Sequence, residues 1–105
     1  MDTKQKLLKR IDDLIALANK TIEFIGTDEY DSLRSRSRTQ SLSFIHFLNG
    51  TSHPNYLEFE DTSRSSNETF TKRSKKILDV IKHDIQNDYY LSAIKGLVSA
   101  EIFYN

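Results

Sequence analysis

Cysteine is absent from this 105-residue chain. That excludes disulfides, a thiol nucleophile, and zinc or iron–sulfur sites held by thiolates. Proline occurs once and glycine three times, too few for a turn-rich β fold and favourable to long helices. No run approaches the roughly 20 apolar residues of a membrane-spanning helix. The start, Met1-Asp2-Thr3-Lys4-Gln5-Lys6, is no signal peptide, because its apolar residues are spaced rather than continuous. A soluble, cytoplasmic protein with no membrane association is expected. The triplets Asn49-Gly50-Thr51 and Asn67-Glu68-Thr69 fit a glycosylation acceptor, but they mean nothing without secretion. Charge of one sign is also lacking: 15 Lys and Arg balance 15 Asp and Glu. That balance argues against a dedicated nucleic-acid binder.

Enough apolar residues are present to fold. Val, Ile, Leu and Phe make up 29 of 105, above the range of disordered chains. Lys, Asn and Ile together number 25, which hints at an AT-rich bacterial or phage genome.

The apolar spacing predicts an all-α antiparallel bundle of four main helices with one short extra helical turn. Leu7, Ile11, Leu14, Ile15, Ala18, Ile22 and Ile25 form one stripe and predict a helix over about 3–25. Asp2 or Thr3 can cap it, and Gly26 can end it. A second helix is predicted over about 28–49, with Thr27 or Asp28 as cap. Its stripe is Tyr30, Leu33, Ser37, Ser41, Phe44, Phe47 and Leu48. The serines in its middle admit a close helix neighbour or leave a polar notch. Pro54 suits the first turn of a short helical piece at 54–59, which lays Tyr56, Leu57 and Phe59 on the bundle. Residues 60–67 read as a polar loop. A helix over about 67–86, capped by Ser66 or Asn67, carries Phe70, Ser74, Ile77, Val80, Ile81 and Ile85. Asn87-Asp88 breaks it, and Asp88 is expected to cap a last helix over 89–104. That helix turns Leu91, Ile94, Val98 and Ile102 inward. Short connections imply antiparallel neighbours.

Two segments carry a resemblance. Gly50-Thr51-Ser52-His53-Pro54-Asn55-Tyr56-Leu57-Glu58-Phe59 is one; Lys76 to Ile85, followed by Leu97-Val98-Ser99-Ala100-Glu101-Ile102-Phe103, is the other. Together they resemble an N-terminal helical region of assorted bacterial proteins of unknown function. Such proteins usually continue into a second helical domain, suspected of roles in defence or nucleic-acid metabolism. The resemblance implies one helical domain over 1–105 at the front of a longer protein. The chain departs from that pattern at Asn87-Asp88, where a glycine-containing turn is common. The region lends no active-site residue.

The remaining chemistry is thin. His46, His53 and His83 are the only histidines, and Gly50 and Pro54 break any helix joining the first two. They read as surface or helix-end residues, so no metal is expected. His83-Asp84 resembles a metal-phosphohydrolase dipeptide but lacks the other histidines. Arg38 and His46 stand too far apart for the signature of HEPN-type ribonucleases. Serine occurs 12 times without a Gly-x-Ser-x-Gly elbow. The carboxylates at Asp12-Asp13, Glu58, Glu60 and Asp61 read as solvated faces. The three glycines stand alone, so no phosphate loop exists. No catalytic residue and no cofactor is expected.

Arg34 and Arg38 share a helix face. Lys72, Arg73, Lys75 and Lys76 open a helix whose dipole they oppose, so local stability does not explain them. Arg34, Arg38, Lys72, Arg73 and Lys76 are therefore candidate phosphate or nucleic-acid contacts. Acidic partners at Asp12, Asp13 or Glu58 are the competing reading. Ile102, Phe103 and Tyr104 form a bare apolar end and are candidate partner-binding residues, for a downstream domain or a second copy in a homodimer. The leading expectation is a non-catalytic protein-interaction module in a bacterial or phage defence-related protein. The alternative is a nucleic-acid-binding accessory domain using a local basic patch.

Overall fold

A computed structural model describes residues 2–64 and 68–89. Within them the chain forms α1 (Thr3–Glu23), α2 (Tyr30–Asn49), α3 (Pro54–Ser63) and α4 (Glu68–Gln86), and no strand. The fold is an all-α bundle. α1 packs on α2 and α4, and α3 packs on the same two helices. Contacts between Lys4 and Asp88 and between Asp12 and Lys82 run α1 antiparallel to α4. The expected last helix over 89–104, with Ile102, Phe103 and Tyr104, lies outside the described residues, as do the caps Ser66 and Asn67.

α1 starts with a capping box. Asp2 Oδ1 accepts from the Gln5 amide at 2.8 Å, and Gln5 Oε1 accepts from the Asp2 amide at 3.3 Å. Two otherwise unpaired amides are thereby satisfied. Its buried face is Leu7, Ile11, Leu14, Ala18 and Thr21; Ile22 and Ile25 are only half-buried, and the helix ends at Glu23. α2 begins at Tyr30, two residues later than expected. Thr27 holds the joint: its hydroxyl donates to the Phe24 carbonyl at 2.8 Å and accepts from the Glu29 amide at 3.3 Å.

Two residues that spacing alone places on the buried stripes face outward. Phe47 and Val80 are 64% and 52% exposed, while Ile45 and Leu78 are buried. α2 and α4 each lie between two neighbours, so each buries a broad face that includes both members of Phe44-Ile45 and of Ile77-Leu78. The core joins Leu7, Ile11 and Leu14 of α1 to Phe44, Ile45 and Leu48 of α2, Phe59 of α3, and Ile77, Leu78, Ile81 and Ile85 of α4. Each such side chain contributes roughly 1.5–3 kcal/mol by burial.

The short turn at 54–59 is in fact a ten-residue helix, and it consumes the first half of the expected polar loop. His53 Nδ1 accepts from the Asn55 amide at 3.0 Å and Pro54 occupies the first turn. Phe59 and Ser63, one turn apart, are both buried. Leu57, expected on the bundle, is 52% exposed. The polar residues 60–63 stay helical because side chains from α2 bind the end of the helix, as described below.

At the end of α4 the amides of Asp88 and Tyr89 donate to the carbonyls of Ile85 (3.1 Å) and Asp84 (2.9 Å). This is a Schellman motif with Asp88 at φ +62°, the left-handed conformation that glycine usually supplies. Asn87 Nδ2 also donates to the His83 carbonyl at 2.8 Å. Asp88 thus ends α4, and its carboxylate meets Lys4 Nζ at 3.1 Å; it is not in the extended conformation of a helix-starting cap.

The serines of α2 form the notch their spacing suggests. Ser37 and Ser41 are buried, and among the described residues Ser41 Oγ has no hydrogen-bond partner. An unsatisfied buried hydroxyl costs about 1–3 kcal/mol. Ser41→Ala should therefore stabilise the domain by about 1 kcal/mol, raising the melting temperature by roughly 4–8 °C. Thermal denaturation followed by circular dichroism checks this, and a lower melting temperature would contradict it.

Candidate functional site

Four of the five sequence-predicted cations fall into two separate concavities. Arg34 and Arg38 project from α2 toward the end of α3. Arg34 Nη1 donates to the Ser63 carbonyl at 3.2 Å, and Arg38 Nε donates to Ser63 Oγ at 3.1 Å. The Arg34 bond satisfies a carbonyl at the helix end that has no intrahelical partner, while Arg38 holds the Ser63 side chain. The crevice they border has a volume of about 20 Å³; its lining mixes the apolar Ala18, Phe59 and Leu78 with serine and threonine residues and Lys75. Thr21 donates its own hydroxyl to the Leu17 carbonyl at 2.8 Å, and Lys75 Nζ lies 2.8 Å from Asp79.

Arg73 and Lys76 line a second concavity between α3 and α4, of about 310 Å³. Asn55 and Glu58 come from α3, and Ile77 and Val80 from α4. Glu58, expected as one acidic counterpart of this basic run, is thus placed in the same groove. Asp12 instead meets Lys82 at 2.7 Å, and Asp13 meets Lys9 at 3.5 Å. Lys72 pairs with Glu68 at 2.9 Å on the exposed side of α4. Arg64 pairs with Glu60 one turn back. The hydrogen bond that Arg64 donates to Glu60, and then the Glu60 charge, raise the Arg64 guanidinium above its ordinary range.

The histidines do not converge. His46 meets Tyr56 edge-on with ring centres 6.1 Å apart, His53 caps α3, and His83 lies 6.4 Å from Tyr89. Among the described residues no three histidine or carboxylate side chains gather to hold a metal. No described helix is long and apolar enough to cross a membrane.

Ser63 and Asn55 carry no site expectation from sequence, and Val80 is expected in the core stripe instead of in a groove. Ser63 sits in a run of polar residues that looks like loop, and only its contacts with α2, 25 and 29 positions away, give it a role. No protein-family model matches the chain, and no curated protein or solved structure is significantly similar to it.

Proposed function

We propose that the domain is a non-catalytic protein-interaction module whose binding face is the groove between α3 and α4. The observation that supports this is the make-up of that groove. Its floor is apolar, with Ile77 buried and Val80 52% exposed. Its walls carry both signs, Glu58 from α3 and Lys76 with Arg73 from α4. A polyanion would meet Glu58 as a like charge. A partner segment that lays an apolar side chain on Val80, a carboxylate at Lys76 and a cation at Glu58 matches the groove in both hydropathy and charge. The nucleic-acid reading is weakened on the same grounds. Its five cations are split between two concavities and an exposed pair with Glu68, whereas backbone recognition needs a continuous basic track.

The test is a photo-crosslinking residue at Val80, with one at exposed Lys9 as control, in cells of the native host. The expected result is a protein adduct specific to position 80. Calorimetry with that purified partner should then show at least about tenfold weaker binding for Val80→Asp and for Lys76→Glu, with melting temperatures unchanged. An adduct between two copies of this chain would replace the foreign partner with a homodimer. Oligonucleotide binding tighter than about 1 μM at physiological salt, weakening steeply as salt rises, would instead favour the accessory-domain reading.

A further inference from the structure

We infer that the crevice at Arg34 and Arg38 is a receptor for a phosphate monoester, separate from the α3–α4 groove. The first ground is uncompensated charge. Among the described residues Lys4, Lys9, Arg64, Lys72, Lys75 and Lys82 each meet a carboxylate. Arg34 and Arg38 are like charges one turn apart, a spacing that disfavours the helix. Among the described residues neither has a carboxylate within ion-pair distance. Two cations are thus held together where local electrostatics would separate them.

The second ground is unused donors. A guanidinium carries five N–H groups, and each of these spends one on Ser63. That anchorage fixes both side chains on a helix junction, which is the preorganisation an anion site needs. Arg34 Nε is buried and has no partner among the described residues, so the terminal nitrogens are the ones left to a ligand.

The third ground is shape. A volume of about 20 Å³ admits roughly one water-sized oxygen. One oxygen of a ligand can enter the crevice, while the rest of its group lies at the mouth between the guanidiniums. A carboxylate is served by a single guanidinium fork. Two forks one turn apart suit a tetrahedral group with three terminal oxygens. The ester arm then points outward, so a phosphorylated side chain and a nucleoside monophosphate offer the same recognised chemistry.

The full chain, labelled with nitrogen-15, would be titrated with inorganic phosphate, O-phosphoserine, adenosine monophosphate and acetate at constant ionic strength. The arginine Nε–H resonances are the readout. Arg34 and Arg38 signals should move saturably with each phosphate compound, with half-saturation in the roughly millimolar range or tighter, and not with acetate. Arg38→Gln should weaken this at least about tenfold; should that variant fail to fold, Arg38→Lys keeps the charge but loses the fork and should also weaken it. Tighter binding of O-phosphoserine than of the nucleotide would identify a phosphoprotein as the source, and the reverse order a nucleotide. Resonances unmoved by tens of millimolar phosphate, or moved equally by acetate, would overturn the inference.

Discussion

Ile81→Asp should unfold the domain, while Val80→Asp, one residue away, should leave its melting temperature where it was. Ile81 is fully buried, whereas Val80 is 52% exposed. At Ile81 the substitution forfeits roughly 1.5–3 kcal/mol of apolar burial. It also places a carboxylate where no described cation pairs, for several kcal/mol more. The total stability of a small domain is about 5–15 kcal/mol. Ile11→Asp should behave like Ile81→Asp, because Ile11 is equally buried on α1. Circular dichroism at 222 nm during heating separates the cases. A native melt for Ile81→Asp, or a collapsed one for Val80→Asp, would mean that the buried face of α4 is assigned wrongly.

Phe59→Ala should cost about 3–5 kcal/mol, nearly as much as a core substitution in either long helix flanking it. Phe59 is 2% exposed and belongs to the same core as Leu14, Leu48 and Leu78. Leu57→Ala, two residues earlier on the exposed side, should stay within about 0.5 kcal/mol of the parent. Urea denaturation measures both. A loss below about 1 kcal/mol for Phe59→Ala would mean that α3 rests on the surface instead of closing the core.

These two contrasts mark where the sequence was informative. α1 was legible almost to its ends, because its apolar residues recur with one helical period and Asp2 or Thr3 stands ahead of them as a cap; that Asp2 is the cap, in a box with Gln5, is seen only in the structure. The all-α architecture followed from that periodicity and from the scarcity of glycine and proline. The finer choice between Val80 and Leu78, or Phe47 and Ile45, was not legible. It depends on how many neighbours a helix has, which spacing within that helix does not encode. Residues 60–63 looked like loop because they are polar. Their helical state is secured by Arg34 and Arg38, whose contact with Ser63 is tertiary. Asp88 looked like a cap because aspartate usually starts helices, yet here it takes the left-handed conformation that ends one.

Parts of the candidate sites were legible in the same uneven way. The shared face of Arg34 and Arg38 is a direct consequence of their spacing, and Glu58 was among the acids expected near the basic run. That Arg73 and Lys76 line one groove while Arg34 and Arg38 line another depends on α3 lying against both α2 and α4. Ile102, Phe103 and Tyr104 lie outside the described residues.

Both surfaces rest on one structural claim: α3 is a docked helix from Pro54 to Ser63, supplying Asn55 and Glu58 to the groove and Ser63 to the arginines. Native-state hydrogen exchange tests it most directly. The first backbone bond of α3 runs from the Leu57 amide to the His53 carbonyl at 3.1 Å, so protection should begin at Leu57 and continue through Ser63. The account predicts that these amides exchange with opening free energies close to those of α2 and α4. Exchange of residues 57–63 at the rate of an unfolded peptide, while α1, α2 and α4 stay protected, would contradict it.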